Sequence, residues 1–152
     1  MGIRQQLDDD VKAAMLAGDS LRVETLRGLK TAILYADVAT KTRDSGGIDD
    51  DAISALLFKE AKKRQESADL YVRGGSQERA DKELTEKKII EAYLPKQLND
   101  EELGTLVDAA IQATGASEAK DMGKVIGAVK SKAGNAADGS KIAKLVAERL
   151  KR

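Results

Sequence analysis

The sequence has no cysteine, no histidine and no tryptophan, and only one proline, one phenylalanine and three tyrosines among 152 residues. Without cysteine no disulfide can form, so nothing in the composition signals a secreted protein, and the reducing cytoplasm is the expected compartment. Without cysteine and histidine there is no thiol nucleophile, no imidazole base and no Ser-His-Asp triad. Zinc sites of the usual His/Cys type are excluded as well. Chemistry would fall to carboxylates, lysine, serine or Mg²⁺, and the expectation is no catalytic residue, no cofactor and no resident metal. No apolar run approaches the ~18 residues that suggest a membrane span. The opening MGIRQQLDDDVKAAM is amphipathic and acidic, where a signal peptide starts basic and turns apolar. Gln6 stands where a myristoylation site has Ser or Thr.

What the chain does contain is charge and aliphatic residues. Charged residues make up 34% of it, 26 basic and 26 acidic, for a net charge of zero. A core must come from Leu, Ile, Val, Ala and Met, a composition that suits packed helices better than sheets. Ile3, Leu7, Val11 and Met15 recur every four residues, with Gly18 as a stop. Ser20 is read as the cap of a second helix carrying Leu26, Leu29 and Ile33, which fades into the loop KTRDSGG. Asp49 is placed as the N-cap of a third helix that runs to Arg73, with Ile48 and Ile53 as a hydrophobic staple. Gly74 and Gly75 end it. Ser76 is read as the cap of a fourth helix running through Ala80, Leu84 and Ile90 to Leu94.

Pro95 pushes the residue before it out of helical geometry, and YLPKQLNDEEL reads as a domain boundary. Beyond it Asn99 is expected to cap a fifth helix, with Glu102 at the capping-box position and Leu98 against Leu103. Gly115 ends that helix. Ser117 is read as the cap of a sixth helix with Met122, Val125, Ile126 and Val129, closed by Gly134. Asp138 is the expected cap of a seventh, carrying Ile142, Leu145, Val146 and Leu150. The expectation is an all-α chain. Residues 1–94 would form a domain of long helical hairpins and residues 95–152 a small three-helix domain.

Four stretches invite a chemical reading. In RGGSQER, from Arg73, the glycines and Ser76 are accounted for as a helix stop and a cap, and a serine nucleophile has no patterned base. The acid runs Asp8–Asp10 and Asp49–Asp51 are read as first-turn acids that complement helix dipoles, with a carboxylate site for Mg²⁺ as the other reading. Tyr35, Tyr71, Tyr93 and Phe58 sit at scattered helical spacings, which suits packing and not a stacking platform for bases. The fourth stretch is KDMGKVIGAVKSKAGNAADGSKIAKLV, from Lys120. Nine basic residues against three acidic ones occupy 120–152, leaving an equal acidic excess on the rest of the chain. A positive end suits phosphate contacts, and GNAADGS offers small residues ahead of a helix start. Lys124, Lys130, Lys132 and Lys141 are the candidate RNA-contacting residues around the turn from Gly134 to Gly139. A solvated basic surface is the plain alternative.

AAMLAGDSLRVETLRGLKTAI (from Ala13), KEAKKR (from Lys59), YLPKQL (from Tyr93) and KDMGKVIGAVK followed by Ala137–Gly139 occur in an order and spacing that resembles the GatB/YqeY family over nearly the whole chain. The resemblance implies an all-α fold whose C-terminal domain is similar to the tail of the B subunit of the tRNA-dependent amidotransferase, which helps to hold tRNA. It also brings a carbon–nitrogen ligase association, with glutamine as amide donor, that this chain is not expected to fulfil alone. The implied partner is tRNA or a tRNA-handling complex, with a role in translation. At Ala136 and Ser140 the family often carries basic residues, so these two positions remove charge from the loop, and at Ser131 it commonly has proline. A helical protein–protein adaptor, its interface on the long N-terminal helices, is the alternative.

Overall fold

The computed structural model describes residues 2–151. Among them seven α-helices and three short 3-10 turns follow one another, and no strand occurs. The chain divides into two compact units, Met1–Leu94 and Pro95–Arg152.

The first unit holds α1 (Ile3–Ala17), α2 (Ser20–Ala39), α3 (Asp50–Arg73) and α4 (Gln77–Glu91). Each presents one aliphatic stripe inward, so that Leu7, Leu26, Leu29, Ile53, Leu57 and Ile90 are fully buried together. Asp49 caps α3, its carboxylate accepting from the Ala52 N–H at 2.9 Å. Gly18 closes α1 in the left-handed conformation at φ 70°.

Several local expectations give way here. The cap of α2 is Asp19, which accepts from the Arg22 N–H at 3.1 Å, and Ser20 is merely the first helical residue. A carboxylate next to a hydroxyl takes the orphan N–H because the charged acceptor is the stronger one. Ser76 does precede α4, but its side chain makes no capping bond. That helix ends at Glu91 and not at Leu94. The loop 40–49 is less open than its composition suggests. It contains a 3-10 turn at Arg43–Ser45 and is fastened by Asp37, a carboxylate only 5% exposed. Asp37 accepts from Arg4 through both oxygens, at 2.9 and 2.7 Å, and from the Ile48 N–H at 2.8 Å.

The second unit holds α5 (Asp100–Thr114), α6 (Met122–Ala133) and α7 (Gly139–Leu150) around Leu103, Val107, Val125, Val129, Ile142 and Val146. Asn99 and Glu102 form the reciprocal capping box at the start of α5. The start of α6 differs from expectation. Ser117 caps nothing; its N–H and that of Glu118 donate to Asp121 at 3.1 and 3.2 Å, and a 3-10 turn at Ala119–Asp121 leads into the helix. Those two amides, Ser117 first, hold the Asp121 carboxyl below the usual carboxylate range.

Candidate nucleic-acid interface

The turn between α6 and α7 is a braced structure. Gly134 leaves α6 at φ 54°, ψ −129°, a combination that disfavours residues with a Cβ. A 3-10 turn, Gly134–Ala136, follows. Its carbonyls are occupied: Asn135 O accepts from Gln97 Nε2 at 2.9 Å and Ala136 O from the Leu98 N–H at 2.8 Å. The Ala137 methyl is a core group. Asp138 caps α7 by accepting from the Ser140 N–H at 3.1 Å. The segment entering from Pro95 thus fixes the turn from behind. Sequence reasoning missed this bracing, because donors and acceptors lie 38 residues apart. The only signal was that a short motif with small residues and another with an amide side chain both lack apolar periodicity.

The candidate lysines distribute around this turn unevenly. Lys130 is exposed at the end of α6, and its side chain lies over the start of α7: a Cβ on Gly139 would stand 3.3 Å from Lys130 Cε and 3.5 Å from Nζ. Lys141 is exposed at the same end and reaches Asp100 at 3.7 Å. Lys144 follows Lys141 at a step of three, which places both on one side of α7, and Lys151, just past the end of the helix, follows a further seven on. The stripe Ile142, Val146 and Leu150 takes the buried side. Lys132 is two residues beyond Lys130, about 200° around α6 at 3.6 residues per turn. Lys124 lies about 120° from Lys130 by the same count. So Lys130 lies over the Gly139 side of the head of α7, about 200° around that helix from Lys141, and Lys132 and Lys124 occupy other flanks of α6. Arg152, the last basic residue, lies outside the described residues.

The other sequence candidates resolve into structural roles. Asp8, Asp9 and Asp10 are in the second turn of α1, which has no acid in its first turn. Each takes its own partner: Lys30 at 2.6 Å, Gln5 at 2.9 Å and the Tyr93 hydroxyl, respectively. Among the described residues no group of three carboxylates is placed to hold a metal ion. Tyr93 is half-buried, and burial followed by its bond to Asp10 pushes its hydroxyl pKa up. Tyr35 departs from the packing expectation: it is 71% exposed.

A family model described as Yqey-like protein matches residues 4–150. The chain belongs to the YqeY-like family. The YqeY-like chain is also similar to curated fungal proteins named altered inheritance of mitochondria protein 41, mitochondrial. The Kluyveromyces lactis protein is 32% identical over 87 residues, 57% of this chain and 45% of its own length. The Lachancea thermotolerans protein is 31% identical over 88 residues, 58% of this chain and 46% of its own. The YqeY-like chain thus spans about half the length of the curated relatives it matches.

Proposed function

We propose that the YqeY-like chain is a non-catalytic accessory of tRNA handling that takes up RNA phosphates along α7 of its second unit, as a free-standing counterpart of an amidotransferase tail. The observation that carries this reading is the exposed basic ridge of Lys141 and Lys144 on α7, continued by Lys151 just past its end, with the Lys130 amine against another side of the helix head. Contacts of this kind read backbone shape and charge, not bases. The braced turn supports the reading, because a surface with fixed backbone loses little freedom when it binds. Asp138 has a separate task. Its carboxylate repels phosphate and serves the N–H groups of α7.

Filter binding of tRNA across a salt series tests the assignment. Lys130→Ala combined with Lys144→Ala is expected to weaken binding and to flatten the salt slope by about two units at most, one per lost phosphate contact. Lys132→Ala, on the far flank of α6, is expected to change the slope less than either. Asp138→Ala is expected to lower stability by about 1 kcal/mol without weakening tRNA binding. No tRNA affinity of the wild type at low salt, or equal binding by the Lys130/Lys144 variant, rejects the reading.

A further inference from the structure

The helix α2 has two apolar faces. One is buried through Leu26, Leu29 and Ile33. On the other, Leu34, Tyr35 and Val38 stand 42%, 71% and 54% exposed. Traced backwards in steps of three and four, this outer stripe continues through Thr31 and Gly28 to Glu24, all exposed. Gly28 is the unexpected member. Glycine is unfavourable in a helix interior, and a Cβ at Gly28 would meet nothing within 4 Å. Nothing in the fold of the single chain calls for a glycine there. A helix packed close against the stripe would.

The stripe is complementary to itself when reversed. With a twofold axis level with Ile33, an antiparallel copy of α2 sets Gly28 against Val38 of the partner subunit, and Thr31 against Tyr35 of the partner subunit. Each large side chain then meets a small one. At the ends, Glu24 comes within one position of Lys41 of the partner subunit, acid near base, twice over by symmetry. Lys41 is exposed just past the end of α2, held in the left-handed conformation at φ 58°. A parallel copy in register would set Tyr35 on its own equivalent and Glu24 on its own equivalent, and would leave a void at Gly28. We infer that the outer stripe of α2 is a twofold, antiparallel homodimer interface, with Gly28 as the hole, Val38 as the knob and Glu24–Lys41 pairs at its ends. The occupant is a second copy of this chain, because size and charge alternate along the stripe in the one sequence that a foreign helix has no reason to match.

Sedimentation equilibrium of the full chain over a dilution series tests this, with circular dichroism to check the fold of every variant. The wild type is expected to be a dimer that dissociates on dilution. Glu24→Lys and Lys41→Glu should each weaken the dimer roughly tenfold or more, and the two together should restore it. Gly28→Leu should raise the melting temperature of the monomer and abolish dimerisation, since it improves the helix and fills the hole. A wild type that stays monomeric at its highest soluble concentration overturns the inference and leaves the stripe to a different protein. So does a Gly28→Leu variant that still dimerises, or a double charge swap that does not regain the dimer.

Discussion

Gly47 shows how one residue can be demanded by a contact far away in sequence. Its φ is +81°, and a Cβ there would stand 2.2 Å from Arg4 Nη2 and 2.7 Å from Asp37 Oδ1. Gly47→Ala must therefore break the Arg4–Asp37 pair or distort the loop it anchors, on top of the backbone strain. The expected cost is about 3 kcal/mol, read from urea unfolding. The two most informative carboxyls of this unit have opposite pH signatures. Asp37 is held below the usual carboxylate range, chiefly by Arg4 and next by the Ile48 amide. Its stabilisation is complete above the unfolded value, about pH 4, and is lost as pH falls through the folded one. Glu86, on α4, is pushed up by burial first and by Glu83 next, against the pull of Arg64 3.5 Å away. Its penalty appears as pH rises from the unfolded value through the raised folded one. Asp37→Asn should therefore flatten the acid limb of the stability profile. Glu86→Gln should raise stability at neutral pH and leave it unchanged in acid. A urea midpoint series from neutral to acid pH checks both.

At the scale of the element, helix ends separate local from non-local information. The capping box of α5 is complete in six consecutive letters, LNDEEL, and the structure forms it as read. Asn99→Ala should cost about 1 kcal/mol. Ser76→Ala should be nearly neutral, since that hydroxyl caps nothing. Hydrogen exchange at the first turns of α5 and α4 distinguishes the two. The long α3, Asp50–Arg73, was legible for the same reason: cap, staple and double glycine all sit beside it in the chain. Ser20 and Ser117 were misread because an aspartate one and four residues away outbids each hydroxyl, a competition decided by geometry that spacing does not contain. The Arg4–Asp37 pair was not legible at all, its partners being 33 residues apart. Of the candidate interface, the basic excess and the cap at Asp138 could be read from letters. Which lysines share a flank of α6 follows from spacing alone, but that Lys130 lies over the start of α7 depended on how the turn sets the two helices. The outer stripe of α2 was present as a three-and-four spacing, but periodicity reports that a helix has an apolar face, not which of two faces is buried.

For the whole molecule, two separate aliphatic cores follow from a chain with so few rings. One gathers Leu7, Leu26, Leu29, Ile53, Leu57 and Ile90, the other Leu103, Val107, Val125, Val129, Ile142 and Val146. Stability in each depends on close packing of branched side chains, since no ring lies in the second core and in the first Tyr93 packs only at its edge. Val107→Ala, at a fully buried position, should destabilise the second unit by about 2 kcal/mol and should leave hydrogen-exchange protection in α1–α4 at its wild-type level.

The distribution of rings has an optical consequence. Tyr35, Tyr71, Tyr93 and Phe58 all precede Pro95, so the unit from Pro95 onwards holds no aromatic chromophore. Tyrosine emission and near-ultraviolet dichroism therefore watch the first unit alone, while far-ultraviolet dichroism sums the helices of both. A single protein thus carries a built-in pair of detectors, one of them blind to the second unit. Melting Val107→Ala with both should displace the far-ultraviolet curve and leave the tyrosine curve in place. A tryptophan introduced at an exposed position of α7 would give the dark unit a signal of its own.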